Sequence, residues 1–423
     1  MLIVCARLVQ LQFSQHEDLA SRARLQQQTP IETSPLRGEL LDRQERQLAR
    51  SVQTVSLFLD PDGLDVETLD RNAKQLSQSL GLKQTDLTKE FREAHADKKR
   101  FVWVARRLDA DQAKKVTDLN LPGLHSQLEP KRYYPNGSLA AHVLGYVGLD
   151  GKGLGGVEQY YNAKISGEPG KLLLERDANG KPYESYEIAS KTGQTVVLTI
   201  DQSIQYQAEQ ALLAAVQRSR AKSGTVIVLE PRTGEILALA NAPTFDPNRV
   251  ADAKAETRSN WALQNIYEPG STFKVVAFSA ALEKGLAKVE DRIDCQMGAI
   301  TVAGRVVRDH TAFGTLTIAE ALAKSSNVAA IKLGIRVGDP AMYDYIKRFG
   351  FGSRTGIELP GETAGLLRKV ERWQPSSIGS IAIGQEIGVT PVQMVAAFGA
   401  LANDGVRVAP HLIREVRNAE GAV

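Results

Sequence analysis

The side chains best suited to chemistry in this chain are a serine, a lysine three residues after it, and a polar trio about fifty residues further on. The first pair lies in Glu268-Pro269-Gly270-Ser271-Thr272-Phe273-Lys274, which opens an apolar helix that stops at Gly285. Residues three apart on a helix share a face, so Lys274 can bring its amine beside the Ser271 hydroxyl. Unpaired amides in the first turn and an apolar surround both favour a neutral, proton-accepting amine and a stabilised alkoxide. That is the chemistry of an activated serine nucleophile. Serine is equally a preferred helix cap after a Pro-Gly turn, and the pair alone fits that reading too. The second element is Leu322-Ala323-Lys324-Ser325-Ser326-Asn327-Val328. Here Ser325 can relay a proton between Lys274 and a leaving amine, and the Asn327 amide can bind a substrate carbonyl. The same trio also reads as a polar break between two helices.

The elements that must carry these residues follow from periodicity and punctuation. QSIQYQAEQALLAAVQRSRAKSG predicts a long amphipathic helix with Ile204, Ala208, Ala211, Leu212 and Val216 near one face and Gly224 after its end. GTVIVLE and EILALA, joined by Pro231-Arg232-Thr233-Gly234, predict an antiparallel hairpin, the first two strands of a buried sheet. Ala262 to Gly405 is expected to be mostly helical, with Gly and Pro breaks. Upstream, DVETLDRNAKQLSQSLG begins at an acidic cap and ends at a glycine, and DADQAKKVTDLN is a second helical stretch. RFVWVARRL between them has the aromatic and β-branched content of a strand. Residues 121 to 200 are Gly-rich, with short extended runs separated by turns such as Pro135-Asn136-Gly137 and Asn179-Gly180. A domain boundary is expected near Asp201.

At 423 residues the chain exceeds what one hydrophobic core usually serves, so two or three domains are expected. With 52 Lys and Arg against 49 Asp and Glu, the net charge of +3 gives little support to nucleic-acid binding through phosphates. Cys5 and Cys295 are too far apart in sequence to suggest a disulfide framework, and the six histidines lack metal-ligand spacing, so neither a metal nor a cofactor is expected. The opening MLIVCARLVQLQF is apolar but too short to span a bilayer; residues 1–13 read as the outer remnant of a membrane anchor or as an ordinary amphipathic terminus.

Taken together and in this order, Ser-x-x-Lys and Ser-x-Asn match the signatures of the penicilloyl serine transferases. Their surroundings, YEPGSTFKVV, RDHTAFGTLTIAEALAKSSNVAAIKLG, FGFGSRTGIELPGE, GVTPVQMVAAFGALANDGVRVAPHLI and the upstream SPLRGELLDRQERQLARSV, resemble class B penicillin-binding proteins over nearly the whole chain. The resemblance implies an α+β chain. An elongated α+β pedestal, or dimerisation, domain over 14–200 would carry Arg37-Gly38 and Asp42-Arg43 in its opening motif. A transpeptidase domain of β-lactamase-like fold would follow over 201–423. It further implies that Ser271 attacks the penultimate D-Ala carbonyl of a peptidoglycan stem peptide, with Lys274, Ser325 and Asn327 as the other catalytic residues. A neighbouring stem's amine then resolves the acyl-enzyme into a cross-link, and β-lactams acylate Ser271. The implied location is the bacterial inner membrane, single-pass, with the catalytic domain in the periplasm. A cell-wall glycosyltransferase of the division or elongation complex is the implied partner.

The family also calls for a Lys-(Thr/Ser)-Gly strand after ANDGVRVAPHLI, and residues 1–423 hold none there. The transpeptidase domain is therefore expected to be incomplete at its C-terminal side, nearly inactive and poorly soluble as this chain alone. Lys191-Thr192-Gly193 precedes the nucleophile and reads as a chance match. His310 is expected to be a positioning or core residue, and Glu158 a structural hydrogen-bonding residue at the pedestal junction. Two other functions remain: an inert scaffold of the division or elongation machinery, and a β-lactam sensor or serine β-lactamase, which normally lacks so large a pedestal.

Overall fold

The structure, a computed structural model, describes residues 28–176, 182–418 and 421–422. Residues 1–13 and Cys5, like the Asn179-Gly180 turn, lie outside the described residues. Strand β1 (Gln28–Thr33) is followed by the short β2 (Leu40–Leu41) and the long β3 (Gln47–Leu59), which β4 (Val102–Leu108) and β5 (Leu124–Tyr133) flank in antiparallel pairing. Helix α1 (Val66–Leu80) begins and ends where its sequence places it. The Asp65 carboxylate accepts from the Thr68 amide at 2.7 Å, and Gly81 closes the last turn at φ +68°. With α2 (Gln84–Ala96) and α3 (Ala110–Thr117), it covers β3 and β4 around Leu57, Leu59, Leu69, Leu76 and Phe91, all fully or nearly fully buried. Each such side chain contributes about 1.5–3 kcal/mol by leaving water, which holds this lobe together despite its charged surface.

Strands β6 (Gly170–Arg176) and β7 (Pro182–Ile188) form a hairpin to which β1 adds, and β8 (Thr195–Leu198) follows. Asp201 caps the long helix α4 (Gln202–Ser219), accepting from the Ser203 and Ile204 amides. One expectation for this helix needs correction: Ala211 is exposed, the buried stripe being Gln205, Ala208 and Leu212. Gly224 lies after the helix end as expected; Arg220 takes the left-handed closing position at φ +53°, and Gly224 already begins a strand. That strand, β9 (Gly224–Leu229), pairs antiparallel with β10 (Ile236–Ala242), as the sequence predicts.

The stretch from Ala262 onward is helical in outline but contains four short strands that its apolar spacing does not announce. These are β11 (Arg292–Asp294), β12 (Ala299–Val302), β13 (Arg305–Arg308) and β14 (Thr315–Thr317), paired as β11–β14 and β12–β13. At three or four residues each, they are too brief for alternation to register. The helices are α5 (Lys274–Glu283), α6 (Ile318–Ala323), α7 (Asn327–Val337), α8 (Asp339–Arg348), α9 (Ser377–Ala382) and α10 (Pro391–Ala402). The core between them is built on Phe273, Phe278, Val328, Ile331 and Ile381, each at most 1% exposed. The last strand, β15 (Ile413–Arg417), leaves this half and pairs with β8, giving a sheet of order β15-β8-β2-β3-β4 with β5 also on β3.

Candidate active site

Ser271 lies in a single 3-10 turn, Gly270–Phe273, that runs directly into α5. The apolar run after it is buried on every side, with Phe273, Val276, Ala277 and Phe278 at 0–1% exposure. Ser271 itself is exposed at the head of this buried rod. A rod packed all round cannot slide or rotate without opening cavities, so the turn at its head is held in place.

The turn is tied from behind by a distant segment. Tyr267 and Val389 exchange both backbone hydrogen bonds at 3.0 and 2.9 Å, and the Gly270 amide donates to the Gly384 carbonyl at 3.0 Å. Gly384 has φ +77°, and a Cβ there would stand 2.1 Å from the Gly270 carbonyl oxygen. Only glycine permits that approach. Next to it, Glu386 sits at φ +60° with its amide donating to the Glu268 carboxylate at 2.9 Å. Its own carboxylate pairs with Arg368 and accepts from Ser377 at 2.8 Å.

Lys274 is 1% exposed. Its Nζ donates to the Ser325 backbone carbonyl and, at 2.9 Å, to Ser325 Oγ. Among the described residues no hydrogen bond reaches the Ser271 hydroxyl, so the amine is anchored on Ser325 and not on Ser271 as three-residue spacing alone suggests. A buried ammonium must find acceptors, and the Ser325 carbonyl and hydroxyl supply two. Burial pushes the Lys274 amine down to about 8, against the opposing pull of the Asp309 carboxylate. An amine in that range holds a useful neutral fraction near neutral pH.

Ser325 occupies the left-handed region at φ +55° in the break between α6 and α7, and this turns its carbonyl and hydroxyl together toward Lys274. Ser326 caps α7 by accepting from the Ala329 amide at 3.1 Å. Asn327 lies in the first turn of α7, where its Nδ2 donates to the Arg308 carbonyl at 2.7 Å. That bond fixes the amide plane and leaves Oδ1 and one N–H.

Sequence reasoning missed Asp309. Its carboxylate accepts from the Asn327 amide at 2.5 Å, the Val328 amide at 3.1 Å and the Ser326 hydroxyl at 2.8 Å. It therefore supplies negative charge to the N-terminus of α7 while lying close enough to Lys274 to bias its protonation. The signal was its position beside His310 in RDHTAFG. His310 itself is exposed, with its ring edge-on to Phe313 at 5.5 Å, so it is not a core residue.

Residues 224–421 match the penicillin binding protein transpeptidase domain, and residues 32–198 the penicillin-binding protein dimerisation domain. The penicillin-binding protein PbpB of Mycolicibacterium smegmatis is 32% identical to the chain, over all of it and 69% of the relative. The chain belongs to the class B penicillin-binding proteins. A probable peptidoglycan D,D-transpeptidase PenA of Neisseria meningitidis is 37% identical over 88% of this chain and 64% of its own length, so the chain spans just under two thirds of that relative. Among solved structures, penicillin binding protein 3 of Mycobacterium tuberculosis complexed with ampicillin aligns at a TM-score of 0.68 and 29% identity, covering 93% of this chain and 69% of that one.

In this penicillin-binding protein, Lys191-Thr192-Gly193 is a packing element. Lys191 pairs with Glu168 at 2.8 Å on the surface, and a Cβ on Gly193 would lie 2.0 Å from the Ile165 carbonyl oxygen. Glu158 is a structural residue inside the dimerisation domain and not at its junction: it is fully buried between Arg37 at 2.8 Å and Arg132 at 2.6 Å, and all three lie within residues 32–198.

Proposed function

We propose that the protein is a peptidoglycan D,D-transpeptidase acting through a serine acyl-enzyme. The observation that carries this reading is the fully buried Lys274 amine, held on Ser325 three residues after an exposed serine. Ser271 Oγ attacks the penultimate D-Ala carbonyl of a stem peptide, and its proton passes to neutral Lys274. The C–N bond then breaks, the departing D-Ala amine takes a proton through Ser325, and an ester remains on Ser271. An amine of a neighbouring stem attacks that ester and restores the serine, leaving a cross-link. Asn327, fixed by Arg308, orients the stem's peptide groups, and no cofactor enters the reaction. β-Lactams follow the first half of this path and stop at the ester.

On the same reading, residues 14–200 are the pedestal and 201–423 the transpeptidase domain, with residues 1–13 belonging to a membrane anchor. The catalytic half works in the periplasm beside a glycosyltransferase of the division or elongation complex. The test is covalent labelling of the purified protein by a fluorescent penicillin. The wild type takes up label that Ser271→Ala lacks, and a wild type that stays unlabelled overturns the assignment.

A further inference from the structure

The pedestal contains a second built site, made by a fault in a strand. Side chains on successive strand residues point to opposite faces, so Arg106 and Arg107 of β4 would ordinarily diverge. The β3–β4 register shifts here: Val55 faces Leu108 and Leu57 faces Ala105, so two residues of β4 stand opposite the single Ser56. This is a β-bulge, a device that re-aims side chains. Arg107 sits at φ +58°, left-handed and costly for a residue with a Cβ, and its amide is held by Ser56 Oγ at 2.9 Å. Both guanidinium groups consequently turn to the same carboxylate, Glu129, with Nε–O distances of 3.1 and 3.0 Å, and both reach the Leu149 carbonyl at 3.2 and 3.1 Å.

A parallel arrangement stands on the other side of the same cleft. Arg37 and Arg132 share Glu158, and Arg37 donates to the Gly151 carbonyl at 2.7 Å. The cleft has a volume of about 370 Å³, and the loop containing Leu149 and Gly151 forms part of its wall. Four guanidinium groups thus face two carboxylates, which leaves two positive charges over among the described residues. Asp150 and Lys152 on the rim cancel each other. Arg132 is only 8% exposed, and among the described residues its Nη2 has no hydrogen-bond partner. Buried cationic charge in excess of its carboxylates is expensive, and an oxyanion in the cleft would offset it.

We propose that this pedestal cleft binds a doubly charged oxyanion group, held by Arg106 and Arg107 from the bulge and by the field of Arg37 and Arg132 behind it. Guanidinium forks suit phosphate and carboxylate oxygens equally. In cell-wall material the group is either the diphosphate of a lipid-linked glycan precursor or the paired carboxylates of a stem peptide. The site is separate from Ser271 and lies in the other domain.

The experiment is calorimetric titration of the purified chain with inorganic pyrophosphate and, separately, with N-acetylmuramyl-L-alanyl-D-glutamate, which carries two free carboxylates. Saturable binding of the former assigns the diphosphate, and of the latter the carboxylates; both support the site. Arg106→Gln, at a partly exposed position that the fold tolerates, weakens binding by roughly ten-fold. Glu129→Gln removes an opposing charge and therefore tightens it, a sign that general damage to the fold does not produce. Failure of both probes to bind, or affinity unmoved by Arg106→Gln, overturns the proposal. Penicillin labelling of Ser271 is independent of either result.

Discussion

Two side chains that ionise in water are shut away from it in the two halves of this molecule. Glu158 in the pedestal is fully buried and clamped by two guanidinium groups, whereas Lys274 in the other half is 1% exposed and, among the described residues, its amine hydrogen-bonds only to the carbonyl and hydroxyl of Ser325. Glu158 has its charge answered on both oxygens, so it holds Arg37 and Arg132, and through them β3, β5 and the short helix that carries Glu158, in one arrangement. Lys274 has dipoles but, among the described residues, no contacting carboxylate, so burial lowers its proton affinity and suits it to the basic role proposed for it. The comparison teaches that burial alone does not separate structural from reactive charge; the partner does.

The sharpest way to break that comparison is Lys274→Met. Loss of the general base should slow acylation of Ser271 by about 10²–10⁴-fold, measured as the penicillin labelling rate. The same change should raise the melting temperature near pH 7. Burial lowers the folded amine from 10.5 to about 8, so below 8 the fold bears the full cost of a buried ammonium, and that cost fades between 8 and 10.5 and is gone above that range. An unchanged or lower melting temperature would count against Lys274 as an unanswered charge.

Glu158→Ala should do the reverse. Leaving Arg37 and Arg132 buried without their carboxylate should cost about 3–5 kcal/mol by denaturant titration, while the labelling rate per folded molecule stays put. Next in size is Gly384→Ala, which forces a Cβ against the Gly270 carbonyl and moves the turn bearing Ser271; an angstrom of misplacement is worth about 10²-fold in rate. The smallest effect concerns Asp309. Wild-type labelling should rise with pH through about 8, and Asp309→Asn, by removing the charge that holds the Lys274 amine up, should move that inflection to lower pH. It should also weaken the cap of α7 by roughly 1 kcal/mol.

What the sequence disclosed was local. Asp65 and Gly81 mark helix ends because capping acts within three or four residues, and Ser271 with Lys274 could be paired because one helical turn joins them. Asp309, Gly384 and Glu386 escaped because their roles depend on contacts that no local period encodes. Glu386 and Glu268, for instance, meet across 118 residues of chain. Ala211 was misassigned for a related reason. The helical wheel gives a stripe, but which neighbours cover it is decided by β9 and β10, whose placement lies beyond the window. The β-bulge at Arg106 and Arg107 was equally invisible, since RFVWVARRL reads as an uninterrupted strand.

The pairing of β15 with β8 makes the division at residue 201 a boundary in sequence without being one in mechanics. β8 hydrogen-bonds in turn to β2, so a pull on the pedestal is borne by peptide groups belonging to the catalytic half. A tug on the N-terminal half therefore has a stiff ribbon along which to travel. Swapping one half for a homologue's would cut across that ribbon, and grafts should respect the sheet before they respect the linker.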